Sequence, residues 1–364
     1  MKMFQEIKIG RDMLFMKNDS SQRIDYLSTL NVISAVAVVF LHSNSCFWVF
    51  SRERYWFTAN IIESVFYFAV PVFFMNSGAT LIDYPSRYDT KTFFEKRIQK
   101  SFIPYIVWSC IFFVYYYIMK GNINDISLRF IWELFSNNKI VGIYWFFPTL
   151  FSVYLCIPLF AYVNEDKKNT VFLFLTCAGF VLNSLLPFIC DILKISKLPI
   201  HVNVIETYLL YVIIGYLISH YNVSRNIEII IYSLGIIGLG MQIIGTYILS
   251  VNAGEIIQTF KGYNNVPCIF YSVSIFLFVA KHDYIVSKIR ARKIIDFLSK
   301  FTFGIYLLHY PLLFIVRENL YYNYLGIIDK SIVYRLTLPF ILIFCCIVII
   351  WFIRKLPCLR FLVP

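Results

Sequence analysis

Residues 23–42 read RIDYLSTLNVISAVAVVFLH, a basic and polar approach that turns into an apolar run ending on a histidine. Asp25 and Ser28 are residue types that cap helix starts, and the apolar run opens at Leu30. From Leu30 to His42 is twelve residues, about 18 Å of helical rise, which places the imidazole near the middle of a hydrocarbon layer about 30 Å thick. A charged group at that depth costs about 2.5 kcal/mol or more, and a neutral one still needs a polar partner. His42 is therefore the first candidate for chemistry, the alternative being a neutral histidine bonded to a neighbouring helix. Asn31 lies eleven residues earlier, close to three turns, so the two share a helix face.

The rest of the chain continues the apolar theme. Of its 364 residues 59% are hydrophobic and 15% charged, with a mean hydropathy of +0.68, far more apolar surface than a soluble core can absorb. A formal charge of +12 would suggest nucleic acid in a soluble protein. Here the basic residues sit in short loops between apolar runs, where they set orientation, so no nucleic-acid partner is expected. Cys110, Cys156, Cys177, Cys345 and Cys346 fall inside apolar segments, and no Cys or His spacing suits a metal. Residues 1–21 lack the apolar core and small-residue site of a cleaved signal peptide, leaving the first span to direct insertion.

Ten apolar segments follow the leader: Leu30–Phe50, Thr58–Ile82, Phe102–Met119, Tyr144–Val163, Val171–Ile189, Val204–Ser219, Ile227–Leu249, Val266–Ala280, Phe301–Val316 and Ile332–Ile353. The eighth and ninth are short for a crossing and suit shallow or broken helices. Of the 33 Lys and Arg, 22 fall on the side of the N-terminus under this division, which places both termini in the cytoplasm and favours an even span count. The expected fold is all-α, a polytopic transmembrane helical bundle of about ten spans. It divides into a cytoplasmic leader (1–29), a transmembrane domain (30–353) and a cytoplasmic tail (354–364). No loop is long enough for a separate enzyme domain, so any chemistry belongs to the bundle or its edges.

Several residues could serve that chemistry. Arg97 and Lys100 are three apart at a helix start on the basic side, an arrangement suited to phosphate, with anchoring to anionic lipid as the alternative. Asn76, Ser77 and Gly78 interrupt an aromatic span with small polar groups, suiting close helix packing or a ligand against the backbone. Glu63 is an acid within the second span. Tyr144, Trp145, Tyr154 and Pro158 in the fourth are explained by interface anchoring and a kink as well as by function. His309, in SKFTFGIYLLHYPLL, is a second intramembrane histidine about 12 Å from its helix start. His201, His220 and His282 fall in loops or at span ends and read as surface residues.

The order of these pieces resembles acyltransferase family 3, the polytopic membrane O-acyltransferases of surface polysaccharides. In that family an opening Arg precedes an essential span-one His by nineteen residues, as Arg23 precedes His42 here. FFMNSG, the KR and Pro-Tyr of EKRIQKSFIPY, YWF, GYL and FGIYLLHYPLL are similar to the family pattern in the same order. Three positions depart from it: Asn31 stands where a second Arg is usual, Ser28 where Asp is common, and Lys100 where Arg is frequent. Asn31 keeps hydrogen bonding but not the charge or fork of a guanidinium.

The resemblance implies transfer of an acyl group, most often acetyl, from cytoplasmic acetyl-CoA to a sugar hydroxyl of a surface polysaccharide or its lipid-linked precursor. The location it implies is the cell inner membrane. His42 is then the base, Arg23, Asn31, Arg97 and Lys100 hold the donor, and Glu63, Tyr144, Trp145, Tyr306 and His309 face the acceptor. Membrane lipids and the polysaccharide-synthesis machinery are further partner classes. The competing class is an exporter of glycans or lipid-linked sugars with the histidines as a proton relay; the lack of visible internal repeats favours the enzyme.

Overall fold

The computed structural model describes residues 15–17, 25–119, 127–137, 139–206, 208–288, 291–320 and 328–364, so Arg23 lies outside the described residues. Each of the ten apolar segments falls on a helical unit: α1 (Asp25–Ser43), α2 (Arg54–Ser86), α3 (Thr90–Tyr117), α4 (Gly142–Ala161), α5 (Glu165–Leu193), α6 (Tyr208–His220), α7 (Arg225–Ala253), α8 (Val266–His282), α9 (Thr302–Leu320) and α10 (Ile332–Lys355). Among the described residues seven are long and apolar enough to cross a membrane: α1 to α5, α7 and α10. A break precedes the ninth segment, where α9 joins the short helix Arg292–Ser299 at a 65° bend. Helix α8 is short as expected; α6, at 13 residues, is shorter still.

Burial sorts the units into an inner and an outer set. The windows of α1 and α2 are 67% and 72% buried, whereas those of α5 and α7 are 28% and 22%. Helix α1 runs through the centre, touching α2, α8, α9, α10 and the helix Arg292–Ser299. Its first turn is tied to that short helix, Arg292 donating to the Asp25 carbonyl at 2.8 Å while also pairing with Asp283, which accepts from Thr29 at 2.6 Å. Exposed Leu155, Phe174, Ile236 and Phe344 on the peripheral helices present an apolar surface suited to lipid.

Two expectations about α1 are corrected. It starts at Asp25, not Leu30, so Ser28 lies within the first turn, and it stops at Ser43, well short of Phe50. The stop follows from Asn44, whose side chain turns away to donate to the Ala59 carbonyl at 2.8 Å; a 3-10 turn, Ser45–Trp48, then packs Phe47 against Trp56. His42 thus sits in the last turn of its helix, about 25 Å along it, and not near its middle.

The other irregularities have local causes. The α2 break between Phe66 and Ala69 precedes Pro71, which has no N–H for the Tyr67 carbonyl. The π segments Ile98–Phe102 and Phe180–Leu185 each run into a helix with proline in its first two positions, Pro104 and Pro187, the wider turn absorbing the missing donor. Where α2 and α6 cross, Cβ atoms on Gly78 and Gly215 would stand 1.8 Å from the Val212 carbonyl oxygen and 2.1 Å from that of Met75. The two backbones are therefore in contact. One addition to the all-α expectation is an antiparallel ribbon in which Phe15–Lys17 pairs with Tyr221–Val223, docking part of the leader beside the end of α6.

Candidate active site

A cavity of about 300 Å³ opens at the end of the bundle where α1, α3 and α9 begin and α2 ends. Its polar wall is made by Asn31, Asn76, Ser77, Thr80, Arg97, Ser101, Tyr154 and Thr302, and its apolar wall by Phe73, Leu81, Phe146, Leu150, Phe303 and Tyr306. Six residues singled out in the sequence therefore share one space: Asn31, Asn76, Ser77, Arg97, Tyr154 and Tyr306.

Arg97 has an unusual setting for a half-buried cation. Its guanidinium lies 5.8 Å from the Phe93 ring centre and 5.6 Å from that of Tyr154, its Nε is buried without a partner, and it makes no hydrogen bond or ion pair among the described residues. A cation held between ring faces with its fork unused is arranged to take an anion from the cavity. Lys100 does not join it, contrary to the expected shared face. The π segment adds a residue to the turn, so the position above Arg97 passes to buried Ser101 while Lys100 is exposed.

Asn31 and Asn76 are bonded to each other, Asn76 Nδ2 donating to Asn31 Oδ1 at 2.9 Å, and Asn76 Oδ1 has no partner. The cavity wall thus holds an amide pair where a second guanidinium is usual in the resembling family. Asn76 is carried there by the Gly78 contact, which presses its helix onto α6.

Deeper in, two tyrosines lock α4 to α9. Tyr306 Oη donates to the Ile143 carbonyl at 2.7 Å and Tyr144 Oη to the Leu307 carbonyl at 2.8 Å. Pro311 explains the second bond: lacking an N–H, it frees the carbonyl four residues earlier, that of Leu307, which Tyr144 then satisfies. Both hydroxyls are committed to backbone, so what Tyr306 presents to the cavity is its ring.

Behind that ring stand the histidines. His309 is 5.8 Å from Tyr306 and 5.3 Å from His42 between ring centres, and the His42 ring also meets Tyr310 at 5.5 Å. His309 is fully buried; half-buried His42 makes no hydrogen bond among the described residues. His42 does not line the cavity; it meets His309, which in turn meets Tyr306. The two histidines meet although they sit in the last turn of α1 and the second turn of α9, because the helix Arg292–Ser299, level with the start of α1, sets α9 off later.

Glu63 and Trp145 are not among the residues that line the cavity. Glu63, 2% exposed, accepts from Asn44 at 3.3 Å; Arg335 donates to the same Asn44 at 3.2 Å, and Lys261 donates to Ser64 at 2.8 Å. Of this buried network the sequence singled out only Glu63; Lys261 and Arg335 join it through contacts distant in the chain. Half-buried Trp145 stacks on Tyr263 at 5.9 Å, and Tyr263 on Tyr67 at 4.8 Å, an aromatic platform beside Tyr208. His220 is corrected from a surface residue to a buried one: stacked on Tyr216 at 3.7 Å, it bonds Asp83 at 2.5 Å and ties the ends of α2 and α6.

Among known proteins, no curated sequence and no solved structure matches the chain. A family model does, the acyltransferase domain of the acyltransferase 3 type, over residues 24–354. The match spans every helix that shapes the cavity and the histidine pair, and with the apolar helical bundle it establishes that the chain is a membrane acyltransferase belonging to acyltransferase family 3.

Proposed function

We propose that the protein transfers an acyl group, most simply acetyl, from cytoplasmic acyl-CoA to a sugar hydroxyl of a surface polysaccharide or its lipid-linked precursor, in the cell inner membrane. The observation that carries this reading is the unpaired Arg97 guanidinium on a cavity whose far wall, Tyr306, backs onto the histidine pair. A donor of this class has phosphates at one end and a thioester at the other. Arg97 takes a phosphate, the Asn31 and Asn76 amides hydrogen-bond the arm, and the thioester end reaches past Tyr306 toward His42. His42 accepts the proton of the acceptor hydroxyl as its oxygen attacks the thioester carbonyl, and returns it to the departing thiolate. The cavity holds the acyl arm and not a whole coenzyme, so the nucleotide end lies outside, among the basic connections of residues 83–100 and 281–300. Both termini lie on that same cytoplasmic side, as the distribution of 22 of the 33 Lys and Arg supports. The aromatic platform of Trp145 and Tyr263, with Glu63 nearby, suits the apolar faces and hydroxyls of a sugar acceptor.

The test is mass spectrometry of surface glycans with and without the gene. Loss of an acetyl mass on deletion, restored by the intact protein and not by His42→Ala, is expected. Disappearance of the whole glycan from the surface, with unchanged acetylation of what is made inside, would refute the reading in favour of export.

A further inference from the structure

We infer that His309 is the positioning residue of His42: its Nε2 is the acceptor that holds the His42 ring in one tautomer and stabilises the imidazolium formed when His42 takes up the acceptor's proton. The inference rests on the acyl-transfer reading and assigns to His309 a role distinct from contact with substrate.

The chemistry of His309 follows from one bond. Nδ1 lies 2.8 Å from the Ile305 carbonyl oxygen, which can only accept, so Nδ1 carries the hydrogen. In the neutral ring the lone pair is then fixed on Nε2. That atom is buried, in a residue with no exposed surface, and has no hydrogen-bond partner among the described residues. Buried ring nitrogens are ordinarily satisfied, so a bare one calls for a donor from its surroundings.

The neighbour in place to supply that donor is His42. The ring centres are 5.3 Å apart at 34°. Two imidazoles joined head to head by an N–H···N bond of about 2.9 Å have centres roughly 5.2 Å apart, so the separation already suits the bond. A turn of the His42 ring about its last side-chain torsion, which is soft in histidine, closes it, while the Ile305 bond holds the His309 ring. His42, with no hydrogen bond of its own among the described residues, has one nitrogen for His309 and one for the acceptor hydroxyl. The Tyr306 and Tyr144 hydroxyls are not rivals for the lone pair, being bonded to the Ile143 and Leu307 carbonyls.

The proton balance is closed without charging His309. The acceptor O–H proton moves to His42 as the new C–O bond forms, and the thiolate takes it back as the C–S bond breaks. Throughout, His42 keeps its other N–H directed at His309 Nε2, which fixes tautomer and orientation.

Two amide variants separate the nitrogens. His309→Asn places an amide N–H where Nδ1 is and keeps the Ile305 bond but has nothing at Nε2. His309→Gln reaches the Nε2 position with an oxygen that accepts. With purified protein, acetyl-CoA and glycan acceptor, His309→Asn should lower kcat about a hundredfold with donor KM changed less than about twofold. His309→Gln should retain kcat within about tenfold. Equal kcat in intact protein and folded His309→Asn overturns the inference, as does a folded His309→Gln as inactive as His42→Ala; the second arm stands even if the Asn variant does not fold. Absence of transfer by the intact protein overturns the acyl-transfer reading and this inference with it, whereas transfer with indifferent variants overturns this inference alone.

Discussion

Replacing Arg97 should weaken the donor and little else. Its guanidinium makes no hydrogen bond or ion pair among the described residues, so truncation to Ala strands no buried partner. What folding loses is contact with the Phe93 and Tyr154 rings at 5.8 and 5.6 Å, about 0.5–1 kcal/mol each. What donor binding loses is a charge-assisted bond to phosphate, about 1.5–3 kcal/mol, or roughly tenfold to a hundredfold in donor KM. Exposed Lys100, turned off the cavity by the π segment, should change KM by less than about threefold on the same substitution, as a screened surface charge does. The assay compares acetyl-CoA with S-acetylpantetheine, which keeps the thioester and both amides but has no phosphate. Arg97→Ala should cost affinity for the first and not the second, a cycle that isolates the phosphate contact. Equal losses for both donors, or equal losses in Arg97→Ala and Lys100→Ala, would refute the assignment.

Three further substitutions test other parts of the site. His42→Ala should lower turnover a hundredfold to ten-thousandfold with an unchanged melting profile; near-normal turnover per folded molecule ends its role as base. Tyr144→Phe leaves the Leu307 carbonyl without the bond that replaces the one removed by Pro311, so it should cost about 1–3 kcal/mol in stability, read by thermal melting, with kcat kept within a few fold. A large loss of kcat at unchanged melting temperature would instead make its hydroxyl a substrate contact. Gly78→Ala, with its Cβ 1.8 Å from the Val212 oxygen, should destabilise by about 1–3 kcal/mol and raise donor KM by shifting neighbouring Asn76 and Ser77, whereas Gly240→Ala, with nothing within 4 Å, should be silent in both assays.

Much of the fold was legible because membrane helices announce themselves one at a time. A run of about twenty apolar residues satisfies its own backbone, so position and type follow from local sequence, and all ten segments landed on helices. Helix ends were read less well, because they depend on partners distant in the chain. Helix α1 stops at Ser43 through an Asn44 amide drawn to the Ala59 carbonyl, and nothing in the apolar run through Phe50 signals that contact. The place of His42 along its helix shifted because the helix starts at Asp25 and not at Leu30. The π turn after Arg97 had a signal, Pro104, whose missing N–H has to be absorbed by the preceding turn. It was this turn that divided Arg97 from Lys100.

The site was legible by residue type and opaque by layer. Asn31, Tyr306, His309 and His42 stood out as polar or aromatic groups in apolar runs and Arg97 as a cation at a helix start, yet only the packing separates those on the cavity from those behind it. FGIYLLHYPLL shows why. Within these eleven residues Gly304 admits Ile350, Tyr306 walls the cavity and bonds α4, Leu307 offers the carbonyl that Pro311 leaves free, and His309 turns its Nδ1 to Ile305 so that Nε2 is bare. Each role is set by a partner on another helix, so the string alone cannot assign it. Proline and histidine nonetheless act as a unit here. The proline frees a carbonyl one turn back that fixes α4 against α9, and that fixed wall holds the histidine beside His42 of α1. The same constraint accounts for the aromatic wealth of the inner helices: Phe74, Phe146, Phe147 and Tyr306 form a continuous ring-to-ring wall. A wall of stiff side chains with two torsions each holds two imidazoles at 5.3 Å more firmly than aliphatic packing would.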